Sequence, residues 1–182
     1  TGSTEIQHFC VRNREALLEK GLLYPFSFAQ GRTHLPLFQS LISESVPPNE
    51  EAWEKLSREI RETNSERVVL SAEDLFFLNQ PGILNLARIL QEFISPEEVR
   101  LVAYLRRQDL WLESRYKHAV RAKRIQYPGS IEDFLADSHE AQAVLDYEAV
   151  LDRWARVFGE ENIRVQPFEA SQTEPRDGEG DL

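Results

Sequence analysis

The chain has one cysteine, Cys10, and no methionine. A single cysteine excludes an internal disulfide framework and a cysteine-rich zinc module. No apolar run approaches the roughly 20 residues of a membrane-spanning helix, and no signal peptide opens the sequence. Basic side chains are outnumbered: 21 Lys and Arg stand against 31 Asp and Glu, a net charge of −10. Nucleic-acid and anionic-membrane surfaces both call for a basic footprint, so this balance disfavours them as partners. The expectation is a soluble, cytoplasmic protein with no membrane span and no nucleic-acid partner. Thr1 stands where an intact gene product has methionine, which predicts a processed chain or a fragment.

What is present is enough for a core. At 182 residues and 41% hydrophobic content the length suits one domain, and disorder throughout is excluded. Apolar residues at helical spacing predict a helix over Thr4 to Lys20, with Ile6, Phe9, Cys10 and Leu17 inward and Asn13 as a polar interruption. Gly21 stops it, and Leu22 to Pro36 reads as a connection. Further helices are expected over Leu37 to Ser43, Asn49 to Asn64, Ile83 to Ile94, Gln108 to Arg124, Ile131 to Ala136 and Ala143 to Phe158. Between them, Arg67 to Leu70, Val99 to Leu105 and Ile163 to Val165 read as strands. Strands alternating with helices predict an α/β domain over residues 1–168 with a parallel sheet. The Glu-, Asp- and Gly-rich stretch 169–182 reads as an acidic, mobile tail.

Three segments can carry chemistry at the carboxyl edge of such a sheet, where α/β proteins bind ligands. Thr1-Gly2-Ser3-Thr4 runs directly into a helix; it suits an anion cradle of backbone N–H groups and equally a simple helix cap. Arg106 ends a strand, and Ser114 follows eight residues later on a helix. A guanidinium fork and a hydroxyl so spaced can converge on one phosphate, or serve as a surface ion-pair partner and an ordinary helix residue. Residues 106–124 hold seven basic against two acidic side chains, a local +5 that favours an anionic ligand. Ser71-Ala72-Glu73-Asp74 follows a strand and reads both as a capping box and as a carboxylate placed to accept a proton. No metal-ligand spacing is evident.

Taken in order, these segments resemble the P-loop-like sulfotransferases that use 3′-phosphoadenosine 5′-phosphosulfate (PAPS), most closely the bacterial carbohydrate-type members. Thr1-Gly2-Ser3-Thr4-Glu5-Ile6-Gln7 matches that family's phosphosulfate loop after its lysine. Asn13 to Leu18, Gly21 to Pro25 and Asn162-Ile163-Arg164-Val165 are also similar. The most specific match is Arg106 with Ser114 and the following Arg115-Tyr116, since an arginine and a serine at this spacing hold the donor's 3′-phosphate in the family. The pattern departs where the loop lysine and its preceding strand would stand, before Thr1, and no counterpart of the adenosine-covering Gly-rich segment is present.

The resemblance implies a three-layer, P-loop-like fold whose first strand is missing from the chain. It also implies sulfuryl transfer from PAPS, without a metal, to a carbohydrate or glycolipid acceptor. Thr1, Gly2, Ser3, Thr4, Arg106 and Ser114 would bind the donor. Glu73 is the first choice for the base. His34, in Thr33-His34-Leu35-Pro36, is the second, because that tetrapeptide is similar to the base-bearing motif of cytosolic members; His8, His118 and His139 have no better claim. Two alternatives stand beside this reading: a P-loop nucleotide kinase or NTPase, although no Gly-x-x-x-x-Gly-Lys-Ser/Thr run is visible, and a non-catalytic anion-binding interaction module.

Overall fold

In the computed structural model, which describes residues 3–26, 31–42, 50–92, 94, 98–122 and 125–168, helices alternate with short parallel strands. Two helices, α1 (Ser3–Arg12) and α2 (Arg14–Glu19), occupy the segment expected to form one. The break falls at Asn13, whose backbone N–H and side-chain amide both donate to the Phe9 carbonyl, at 3.0 and 2.8 Å. Asn13 leaves helical dihedrals there, at φ −111° and ψ 22°.

Gly21, at φ +74°, turns the chain out of α2 and into β1 (Leu22–Leu23). This strand lies in the stretch read as a connection; two residues are too few to show a period of two. It pairs in parallel with β2 (Arg67–Val68), and the Gly21 and Leu23 carbonyls accept from Arg67 and Val69. Helices α3 (Leu35–Ile42) and α4 (Glu50–Thr63) make the crossover between them.

A 3-10 turn over Glu73–Phe77 follows β2, and then α5 (Gln80–Leu90), which the Asn79 side chain caps by accepting from Gly82 N–H at 2.9 Å. The second parallel pair is β3 (Leu101–Leu105) with β4 (Ile163–Pro167), in register from Leu101 opposite Ile163 to Leu105 opposite Pro167. Its crossover contains α6 (Gln108–Arg121), α7 (Ile131–Asp137), α8 (His139–Val144) and α9 (Tyr147–Phe158). Parallel strands joined through helices are the α/β arrangement. Among the described residues they form two two-stranded sheets, not the one sheet expected.

The core lies among α3, α4, α5 and α9, where Phe38, Trp53, Ile83, Leu86, Val150, Trp154 and Phe158 are buried together. Each large apolar side chain so placed contributes about 1.5–3 kcal/mol. Close packing has a backbone component: a Cβ at Gly82 of α5 would sit 2.9 Å from the Leu41 carbonyl of α3. The stripe expected on α1 is only partly buried. Gln7 and Cys10 face inward, whereas Phe9 is 58% exposed. On the β3–β4 pair, Val102 and Tyr104 are exposed, as is Val165. The tail over residues 169–182 lies outside the described residues.

Candidate functional site

Of the residues singled out in the sequence, Glu73 and Arg106 follow strands, and Ser3, Thr4 and Ser114 stand on helices. Thr1 and Gly2 lie outside the described residues; Ser3 and Thr4 open α1. Ser3 Oγ donates to Glu73 Oε1, joining the start of α1 to the residue that begins the turn after β2. One helical turn further along α1, the buried Gln7 amide donates to Ser71 Oγ at 3.1 Å. That bond removes Ser71 from the expected capping box: Ala72 precedes the turn, with no side-chain cap, and Ser71 binds α1 instead. Glu73 is left exposed at the mouth of the site.

His34 lies behind this mouth and is fully buried. Its Nδ1 accepts from the Ser71 N–H, and its Nε2 donates to the Pro25 carbonyl, both at 3.1 Å. The partners fix the neutral tautomer with the proton on Nε2. Burial lowers the pKa of the ring, and the nearby Arg14 charge acts the same way, against the raising effect of its backbone partners. Both nitrogens are engaged and the ring is closed to solvent, so it has no free site for an acceptor's proton. In this geometry His34 ties the exit of β1 to the exit of β2. Tyr24 packs edge-on against it, with ring centroids 4.6 Å apart. Arg14 braces the same exit by donating to the Tyr24 and Pro25 carbonyls, each at 3.1 Å.

The turn bearing Glu73 also reaches the second strand pair. Phe76 meets the Tyr147 ring edge-to-face at 5.8 Å, and the Tyr147 hydroxyl donates to the Arg106 carbonyl at 2.7 Å. Phe77 lies 6.4 Å from Trp111 in the first turn of α6. Ser3 meets Glu73 directly, whereas the path from Glu73 to Arg106 runs along the turn to Phe76 and through Tyr147 to the main-chain carbonyl of Arg106. Arg106 is half-buried just past β3, and Ser114 is exposed on the second turn of α6.

The basic stretch of α6 is partly neutralised. Arg107 binds Asp109 through two hydrogen bonds of 2.7 Å, which holds the Asp109 carboxyl down to about 2. Lys117 pairs with Glu113 at 2.5 Å; that pair, with a smaller effect of Arg106, lowers the Glu113 pKa. Lys123 and Arg124 lie outside the described residues.

No family model and no solved structure matches this chain. An uncharacterized protein of Archaeoglobus fulgidus is similar to it, 34% identical over 102 residues. The chain spans about a quarter of that relative's length; the match covers 56% of this chain and 25% of the relative. The likeness assigns no activity.

Among the described residues no helix is long and apolar enough to cross a membrane, and no three His, Cys, Asp or Glu side chains are grouped as a metal ion would need. Sequence reasoning missed Gln7 and Tyr147 as organising residues, and it expected Ser71 only as a cap. Gln7 stands four residues after Ser3, on the same helix face, which was the one available signal. Tyr147 carries none, because its contact with Arg106 spans 41 residues.

Proposed function

We propose that the protein is a PAPS-dependent sulfotransferase of the P-loop-like, three-layer α/β type, acting on a hydroxyl or amine of a carbohydrate or glycolipid acceptor. The observation that carries this reading is the contact between Ser3 Oγ and Glu73, with the same turn linked through Phe76 and Tyr147 to Arg106. It supports a single site with an anion-binding helix start, a carboxylate and a cation at neighbouring strand exits, the region where α/β proteins bind their ligands.

The donor is a co-substrate that arrives activated, so the protein's work is positioning and charge stabilisation. The N–H groups at the start of α1 face the 5′-phosphosulfate, while Arg106 and Ser114 hold the 3′-phosphate. Glu73 takes the proton of the acceptor as its oxygen or nitrogen bonds to sulfur. The bond from sulfur to the bridging oxygen breaks, and 3′-phosphoadenosine 5′-phosphate leaves. His34 is assigned no proton transfer, since its ring nitrogens serve the backbone.

Calorimetry of the full-length protein with 3′-phosphoadenosine 5′-phosphate tests the reading. Saturable binding is expected, and Arg106→Ala should weaken it by about tenfold or more through loss of a charged hydrogen bond. Absence of binding, or a preference for ATP with magnesium, would overturn it in favour of a kinase or NTPase.

A further inference from the structure

His34 joins segments far apart in the chain, and it does so with a group that can change its charge. Its Nε2–H is given to the Pro25 carbonyl, and its Nδ1 holds the Ser71 N–H. Nδ1 is therefore the only ring nitrogen with a lone pair, and a proton enters there only by displacing Ser71. In the imidazolium both nitrogens are donors, so Nδ1–H and the Ser71 N–H would face each other with no acceptor between them.

Ser71 passes that bond on to α1. Its Oγ accepts from the buried Gln7 amide at 3.1 Å, and two residues later Glu73 accepts from Ser3 at the start of the same helix. The Ser71 carbonyl accepts from the His34 N–H at 2.8 Å and from Thr33 Oγ1 at 3.3 Å, and protonating the ring removes neither bond. Losing the Nδ1 bond thus leaves the two strand exits tethered on one side and free on the other, a local release rather than unfolding.

The surroundings favour the neutral ring without fixing it. Burial is the strongest influence and Arg14 of α2 adds to it; the Pro25 and Ser71 bonds and Glu59 of α4 act against them. Burial also pushes Tyr24, which packs on the ring, up to about 12 and raises Cys10 of α1, so both stay uncharged where a histidine titrates. Because the ring is closed to solvent, it takes its proton from water during a transient opening of this exit.

We propose that His34 is a proton-operated latch on α1. The neutral ring holds Ser71 and with it Gln7; a proton taken up at Nδ1 releases Ser71 and loosens α1 from the turn that carries Glu73. The latch does not depend on what the site binds, so its failure and that of the sulfotransferase reading are separate results.

Heteronuclear NMR of the intact protein from about pH 7.5 to about pH 5 tests it, reading the imidazole nitrogens, the backbone amide at position 71 and the Gln7 side-chain amide. The ring should carry its proton on Nε2 at the upper end. On acidification the three signals should follow one reversible step while the amides of α5 and α9 stay in place. Below that step the ratio of latched to released molecules should fall about tenfold per pH unit. Ser71→Ala removes the link to Gln7 and keeps the backbone bond, so His34 and the amide at position 71 should titrate as before and Gln7 should no longer follow. His8 stands next to Gln7 on α1 and meets Arg32, so the step must also persist in His8→Gln. A His34 ring that stays neutral throughout, or charges only as α5 and α9 unfold with it, would overturn the latch. So would a Gln7 amide indifferent to the step, one that still follows in Ser71→Ala, or a step that vanishes in His8→Gln.

Discussion

The Tyr147 hydroxyl donates to the Arg106 carbonyl at 2.7 Å while the Tyr147 ring packs on Phe76, three residues after Glu73. One side chain at the start of α9 therefore touches both the strand exit that carries the cation and the turn that carries the carboxylate. Tyr147→Phe keeps the ring and removes the bond. The expected cost is about 1 kcal/mol, read as a fall in melting temperature of roughly 2–4 °C. Loss of affinity for 3′-phosphoadenosine 5′-phosphate, measured by calorimetry, should accompany it; unchanged affinity would mean that Arg106 holds its position without Tyr147.

Glu73→Gln preserves the size of the side chain and its ability to accept from Ser3, but removes the base. Binding of 3′-phosphoadenosine 5′-phosphate should be retained while turnover falls by about 100-fold or more. Near-normal sulfuryl transfer in a single-turnover assay would remove Glu73 from the chemistry.

His34 predicts a dependence of stability on pH. Its pKa in the folded chain is lowered from the ordinary 6.5, so below that pH the unfolded chain binds the extra proton first. Stability is therefore fully present above about 6.5 and is lost as pH falls towards the folded value, with a slope of up to about 1.4 kcal/mol per pH unit. The Asp109 and Glu113 carboxyls, lowered from ordinary values of 3.8 and 4.5, titrate below this window. Urea unfolding at pH 7.5 and 5.5 should show this loss in the parent and a shallower one in His34→Gln. Equal losses in both would show that another group is responsible.

Gly82 sits where α5 and α3 approach most closely. Gly82→Ala adds a methyl group 2.9 Å from the Leu41 carbonyl, which is backbone and cannot rotate away. In spite of alanine's better helix propensity, the variant should be destabilised by about 1–3 kcal/mol in denaturant unfolding. A gain in stability would mean that α3 shifts without cost.

Elements whose signal is local were legible in the sequence. The apolar spacing of Ile83, Leu86, Ala87 and Leu90 predicts the buried face of α5, and the stop at Gly159 coincides with its φ of +86°. The segments Arg67 to Leu70 and Ile163 to Val165 both coincide with strands, β2 and β4. What failed depends on contacts distant in sequence. β1 exists because Leu22 and Leu23 lie beside Arg67 and Val68, and its two residues carry no pattern of their own. Phe9 was expected inward because it shares the stripe of Ile6 and Cys10; instead α1 docks through Gln7, a polar side chain with a partner 64 residues away. His34 was visible as a candidate base and Ser71 as a cap, but only tertiary structure shows that the Ser71 N–H satisfies His34 Nδ1. Burial and hydrogen-bond satisfaction are set by the whole fold.

The bare flank of the β3–β4 ladder bears on how the protein behaves in concentrated solution. Parallel sheets are ordinarily screened on both faces, yet Val102, Tyr104 and Val165 meet water here. Ten surplus negative charges keep molecules apart at low ionic strength. Added salt shortens the reach of that repulsion to about 8 Å near physiological strength, and greasy flanks on neighbouring molecules can then touch. Colloidal stability should accordingly decline as salt rises, the reverse of ordinary salting-in, and light scattering across a salt series reads it directly.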